Sequence, residues 1–318
     1  MNLIQQAALI AATIPSCLIA QQDSLPQVTR ELRQRHEELD SFTKKQAFDF
    51  SAYDKALERD RDRVAQLIAR DSLRSAHDFL LASTLAQDPG GFYENRRIEH
   101  ELALMALVLG DTAAVRRVAL TWDGLNWSLG RGQRLGSYKR DGVPTNMDPI
   151  PAPAVVRDFF SDAKAARARA AGHANNPELQ QLRDADQADR TDPIDQAKMA
   201  SMRTNDPIRR ERVMKLIADG VPVTGRDFHN AALVLQHGQS PEAYRLAHEL
   251  SIIAVALSDA EAAWLVSRTY DRMLFNMGHR QRFGTQYRGD RVLPMDDTAV
   301  NDRMRLALQS RKLAEMKR

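Results

Sequence analysis

The sequence predicts an all-α protein made of two related three-helix units, joined by a proline-rich, partly helical linker. Three observations carry that expectation. The composition favours helix, with Ala, Leu and Arg abundant and only 15 glycines among 318 residues. No stretch sustains the period-2 alternation of β-branched residues that a half-buried strand needs. Finally, the chain repeats itself. Residues 100–136 align without gaps to 248–284, and 14 of 37 positions are identical, where shared Ala/Leu-rich composition would give roughly three. Just upstream, 61–88 aligns to 210–237 at an offset differing by one residue. Two copies are too few for a solenoid array.

Taken in order, the chain opens on an apolar stretch, "AALIAATIPSCLIA" at 7–20, and its first Lys or Arg is Arg30. It is too short to span a bilayer, which takes roughly 20 apolar residues. It matches the apolar region of a secretory signal over residues 1–20, with cleavage after Ala20, so the protein is expected to be exported to the periplasm or outside the cell. Lipid anchoring at Cys17, the sole cysteine, is the less favoured reading, because Pro15 and Ser16 fit that processing box poorly. Residues 23–60 are polar and helix-prone, rich in i,i+4 charge pairs. The N-terminal unit therefore covers 23–140. "DGVPTNMDPIPAP" at 141–153 holds four prolines and breaks any helix there, so 141–176 reads as the linker. Residues 177–318 form the C-terminal unit, whose first helix starts behind the Asn-Pro at 176–177.

Within the C-terminal copy, Thr224 caps a helix running to about Gln236, and Gly238 stops it. Ser240-Pro241 starts a second helix. Ser258-Asp259 turns the chain into a third, and Gly278 gives that one its left-handed stop. The segment "GHRQRFGTQ" at 278–286 is then the loop leaving the longest helix of the repeated region. Its neutral hydrogen-bonding side chains mark it for function or for bracing.

The two copies keep the same apolar frame but differ in polar residues. Gln236-His237 stands against Gln87-Asp88, Asp271-Arg272 against Asp123-Gly124, and Gly284-Thr285-Gln286 against Gly136-Ser137-Tyr138. Packing alone does not require His237, Arg272 and Gln286 in one copy only, which suggests an active C-terminal unit and a degenerate N-terminal one. His237 is the candidate general base, because an imidazole titrates near neutrality, with Asp271 to orient it. Arg272, Gln281, Thr285 and Gln286, with Asp186 and Arg190 one helical turn apart, are candidate ligand-binding groups. Each has a plainer alternative. His237 could cap a helix end, Asp271-Arg272 could brace the loop as an ion pair, and the amides could satisfy loop backbone. Asp186 and Arg190 could be a surface pair.

The order of "DQADR" (186–190), "GVP" (220–222), "QH" (236–237), "DR" (271–272) and "QRFGTQ" (281–286) resembles a bacterial helical domain family of unknown function. The resemblance covers residues 178–290, about a third of the chain, and departs from the pattern at Val221 and in the spacing to Arg190. It implies a helical fold and a polar cluster, and brings no activity with it.

Other function classes find no support. Lys and Arg number 45 against 42 Asp and Glu, a net charge of +3, and no basic block marks a nucleic-acid surface. No zincin, P-loop or nucleophile-elbow motif is present, and there is no Cys-rich metal spacing. Neither a metal nor a cofactor is expected. The function expected is recognition of a small polar ligand or peptide by the C-terminal cluster. The rivals are a hydrolase or transferase with His237 as general base, and a helical scaffold for protein partners.

Overall fold

Helix starts in this chain are set by short side chains that satisfy the orphan N–H groups of a first turn. In a computed structural model, which describes residues 26–316 apart from 46, 192 and 260, Ser75 and Thr224 each form a capping box with an aspartate three residues on, Asp78 and Asp227. Those aspartates also tie in the preceding chain. Asp78 accepts from the Thr29 hydroxyl at 2.6 Å, and Asp227 from the Asn176 N–H at 2.6 Å.

The described residues form thirteen α-helices and two minimal hairpins, so the fold is all-α. The chain divides between Pro149 and Ile150. The N-terminal unit holds α1 (Gln27–Thr43), α2 (Phe50–Ala69), α3 (Ala76–Leu85), α4 (Tyr93–Val108), α5 (Ala114–Ser128), and the hairpin β1 (Lys139–Arg140) and β2 (Val143–Pro144). In the C-terminal unit come α6 (Ala154–Ser161), α7 (Ala163–Ala170), α8 (Pro177–Ala188), α9 (Gln196–Ala218), α10 (Gly225–Leu235), α11 (Pro241–Ala256), α12 (Ala262–Asn276), the hairpin β3 (Tyr287–Arg288) and β4 (Arg291–Val292), and α13 (Asp302–Ala307).

The two units carry the same succession of elements. Helices α4, α5 and the first hairpin stand 148 residues before α11, α12 and the second hairpin, as Ala114 against Ala262 and Lys139 against Tyr287 show. In each unit three consecutive helices pack in sequence, α3 on α4 on α5 and α10 on α11 on α12, and a fourth lies on the first of them, α1 on α3 and α8 on α10. Buried detail repeats too. His100 Nδ1 lies 3.0 Å from Thr121 Oγ1, and His248 Nδ1 lies 3.1 Å from Thr269 Oγ1. Burial pushes the His248 pKa down to about 3, so the ring stays neutral inside the apolar frame.

The C-terminal core is the seam of α10, α11 and α12. Val234, Leu250, Ile253, Val266, Tyr270 and Leu274 are all buried there, and each large apolar side chain contributes about 1.5–3 kcal/mol by leaving water.

Four expectations are corrected. The prolines at 141–153 do break the helix, yet the segment is no free linker. Residues 139–144 form the first hairpin, and Gln133 bridges to Met147 within the N-terminal unit. Helix α6, placed in the linker by the sequence, packs on α9 and α11 of the C-terminal unit. The two hairpins were not foreseen, because two-residue strands leave no periodicity to read. Gly238 is not a left-handed helix stop: it lies outside the positive-φ set that includes Gly278 at 86°. A Cβ there would come 2.5 Å from Ala243 Cβ, so close approach of the chain to α11 requires glycine. Residues 1–20 with Cys17 lie outside the described residues.

One stability comparison follows from the hairpin's docking. A Cβ on Gly132 would stand 2.3 Å from Asp148 N and 2.5 Å from Met147 C, whereas one on Gly130 meets nothing within 4 Å and only its φ of 73° opposes substitution. Gly132→Ala should cost about 2–3 kcal/mol of unfolding free energy and Gly130→Ala about 1 kcal/mol, read from urea denaturation midpoints. Equal costs would show that the hairpin is not docked as described.

Candidate functional site

Helix α12 ends at Asn276 with Gly278 in the left-handed region just beyond it, and the loop that follows must then satisfy its own N–H groups without helix or sheet partners. Asp271, fully buried near the end of that helix, does this. Its Oδ1 accepts from Arg282 N at 2.7 Å and Phe283 N at 3.0 Å, and its Oδ2 from Thr285 N at 3.0 Å and Thr285 Oγ1 at 2.8 Å. Gln281 completes the frame. Its Oε1 accepts from Gln286 N at 2.8 Å, and its Nε2 donates to the carbonyls of Gln286 and Leu293 at 3.0 and 2.7 Å. Burial is the largest influence on the Asp271 carboxyl and pushes its pKa up, against the pull of the loop N–H groups.

The N-terminal unit builds the same frame from its own residues. Asp123 accepts from Arg134 N, Leu135 N, Ser137 N and Ser137 Oγ at 2.7–2.9 Å, and Gln133 accepts from Tyr138 N at 2.7 Å. A feature present in both units cannot be what distinguishes one of them. Asp271, Gln281 and Thr285, three of the residues that the sequence marked for a site, therefore brace the loop, and Asp271 does not orient His237.

The other five come together on the C-terminal unit. His237 stands just beyond the last turn of α10, with Nδ1 3.2 Å from Oδ1 and 3.1 Å from Oδ2 of Asp186. Asp186 is buried in the last turn of α8, so it is not part of a surface pair. Arg190 reaches back to Asp186 at 3.0 Å and across to Asp206 of α9 at 2.6 Å. From α12, Arg272 donates Nε to Gln286 Oε1 at 3.1 Å and Nη1 to the Gln236 carbonyl at 2.8 Å. Gln286 is held in turn through Nε2 by the Arg268 carbonyl at 3.3 Å and Thr285 Oγ1 at 3.1 Å.

Two physical features set this cluster apart. The first is the imidazole. Burial pushes the His237 pKa below its ordinary value, helped by the charges of Arg190 and Arg272 and opposed by Asp186. The neutral ring donates from Nδ1 to the carboxylate, which leaves the Nε2 lone pair with no bonding partner among the described residues. The second is Arg272. Its guanidinium is largely shielded from water and meets only neutral amide and carbonyl oxygens. Burial pushes its pKa down, the cations Arg190 and Arg268 act in the same direction, and the Tyr244 phenol opposes them. Among the described residues no carboxylate pairs with it, and a shielded cation without a counter-ion is costly.

Sequence comparison of the copies missed Gln236, Asp206 and Arg268. Gln236 carried the wrong signal, because it is shared with Gln87 and so reads as frame. Asp206 lies on α9 ahead of the repeated stretch, where nothing in the sequence singles it out. Arg268 acts through its backbone carbonyl, which any residue type would supply. Among the described residues no group of three His, Cys, Asp or Glu side chains converges as a metal would need. No family model, curated protein or solved structure matches the chain.

The bracing and cluster residues should separate in stability. Asp271→Ala leaves several buried loop N–H groups unsatisfied and should cost about 3 kcal/mol or more. His237→Ala should cost about 1 kcal/mol, because Arg190 and Gln187 still serve Asp186. Urea denaturation of both variants checks this, and a His237→Ala loss as large as that of Asp271→Ala would make the imidazole a structural group.

Proposed function

We propose that the C-terminal unit binds a small polar ligand, or the end of a peptide, through an anionic group. The observation that carries this is Arg272, a shielded guanidinium that no carboxylate among the described residues pairs with, beside the His237 imidazole whose Nε2 is unbonded among those residues. A carboxylate or phosphate oxygen would supply the missing counter-charge and accept from the guanidinium in its fork geometry. His237 Nε2 would meet a donor on the same ligand, or gain a proton once an anion is bound. Gln286, held by the loop frame, fixes Arg272 so that little side-chain freedom is lost on binding. The motif order at 186–286 resembles a helical family of unknown function, which agrees with a polar cluster and names no ligand.

A second reading rests on the Asp186–His237 pair. A carboxylate that fixes Nδ1–H and leaves a neutral Nε2 exposed is the arrangement a general base needs, so the same cluster suits a hydrolase or transferase. In that reading Asp186, not Asp271, is the orienting group. No helix among the described residues is long and apolar enough to cross a membrane. Export with cleavage after Ala20 is proposed from residues 1–20 alone.

The binding reading is tested by following the His237 ring resonances while the full chain is titrated with acetate and with inorganic phosphate. Binding should raise the ring's pKa, since an anion favours imidazolium, and Arg272→Gln should weaken it roughly tenfold or more. Binding unchanged in Arg272→Gln would overturn the proposal. In the free protein His237 should titrate below its ordinary 6.5. Asp186→Asn, which removes the group opposing burial, should lower that midpoint further, and an upward shift would show that the two residues are not paired.

A further inference from the structure

The N-terminal unit lacks the polar set of its C-terminal counterpart, but it holds a cavity of about 300 Å³ lined by Pro89, Gly90, Gly91, Arg96, Gly124, Trp127, Ser128 and Tyr138. Gly124 occupies the position that Arg272 holds in the other unit. A Cβ on Gly124 would lie 2.9 Å from Tyr138 Oη and 3.2 Å from Arg96 Nη1. The glycine therefore lets Tyr138 Oη and the Arg96 side chain come closer to the backbone of α5 than any side chain at that position would allow. A guanidinium is still present, supplied by α4 instead of α5.

Burial works against the Arg96 charge, but Glu99, Tyr138 and Asp88 outweigh it and hold the guanidinium pKa above its ordinary value. Its Nη1 lies 3.4 Å from Glu99 Oε2, and the same carboxylate is shared with Arg117 at 3.3 Å and with the Asp88 N–H. The other carboxylate nearby, Asp88, is occupied by Gly90 N, Phe92 N and Asn95 Nδ2 at 2.9–3.0 Å. Tyr138 Oη accepts from Arg96 at 3.5 Å, and no described residue accepts the phenol proton, so that proton is available to a ligand. Facing these groups is Trp127, 36% exposed, whose ring meets Tyr138 edge-on at 6.2 Å and 74°. An indole at the mouth, glycine walls and a cation with a hydroxyl at the back suit a flat ring carrying one acidic group.

We infer that the N-terminal unit is a second binding site, for a small aromatic carboxylate whose carboxylate meets Arg96 and Tyr138 and whose ring lies against Trp127. The site is independent of the C-terminal cluster, and the unit is specialised rather than degenerate. Saturation-transfer NMR on the full chain, with benzoate as the probe and benzamide as its uncharged counterpart, tests it. Benzoate should bind and benzamide should bind roughly tenfold or more weakly, because only the former offers a charge to Arg96. Gly124→Arg, which rebuilds the C-terminal arrangement, should abolish benzoate binding, and Arg96→Gln should weaken it by a similar factor to the loss of charge. Because Arg96 also contacts Glu99, Trp127→Ala at the exposed rim is the variant least able to disturb folding, and it too should weaken binding several-fold. No saturation transfer to benzoate, equal binding of benzamide, or benzoate binding that survives both Gly124→Arg and Trp127→Ala in folded protein would each overturn the inference.

Discussion

The buried carboxylate at the end of the last repeated helix, Asp271 in one unit and Asp123 in the other, is the interaction on which the rest depends. A loop leaving a helix carries N–H groups that neither helix nor sheet satisfies, and burying them unpaired would cost about 1–3 kcal/mol each. One aspartate accepts three backbone N–H groups and a hydroxyl in each unit. That fixes the path of the loop, the glutamine frame follows, and the small hairpin can dock against it. Position 286, or 138 in the first unit, is then delivered to a defined place beside the helix.

What each unit does with that delivered position differs. In the C-terminal unit Gln286 receives the Arg272 guanidinium and holds it beside His237. In the N-terminal unit Tyr138 meets Arg96 across Gly124, and a cavity opens. The same frame thus supports a filled, cation-rich cluster in one case and a recess with an aromatic rim in the other. The change from glycine to arginine at one helical position goes with the contrast, because at Gly124 Tyr138 and Arg96 stand where a side chain would be.

The electrostatics of the two clusters contrast as well. Glu99 stands between two arginines and takes a backbone N–H, so the N-terminal cations have a shared counter-ion. In the C-terminal unit the carboxylates Asp186, Asp189 and Asp206 serve His237, Arg190 and Arg209, and Arg272 is left with neutral oxygens alone. An arginine held by amides and carbonyls is positioned but not neutralised, and that is the ground on which anion binding is proposed.

Much of this was legible in the residues alone. The all-α class, the helix starts at Thr224 and Ser240, the left-handed stop at Gly278 and the repeat follow from capping chemistry, periodicity and identity, all of which are local or one-dimensional. The comparison of copies also picked out His237, Arg272 and Gln286, and the DQADR stretch added Asp186 and Arg190; these five do meet. The candidate set also held Asp271, Gln281 and Thr285, which brace the loop, because polar side chains that satisfy backbone look no different in a sequence from any others. Only the path of the chain decides which N–H groups an aspartate will find. The pairing of His237 with Asp186 spans 51 positions, and the N-terminal cavity is lined by residues as far apart as Pro89 and Tyr138, whose approach leaves no mark in a sequence. The sequence by itself determined which helices form and where most of them start and stop. Tertiary structure decided which polar groups are already satisfied, because satisfaction depends on distances between segments that no local pattern encodes.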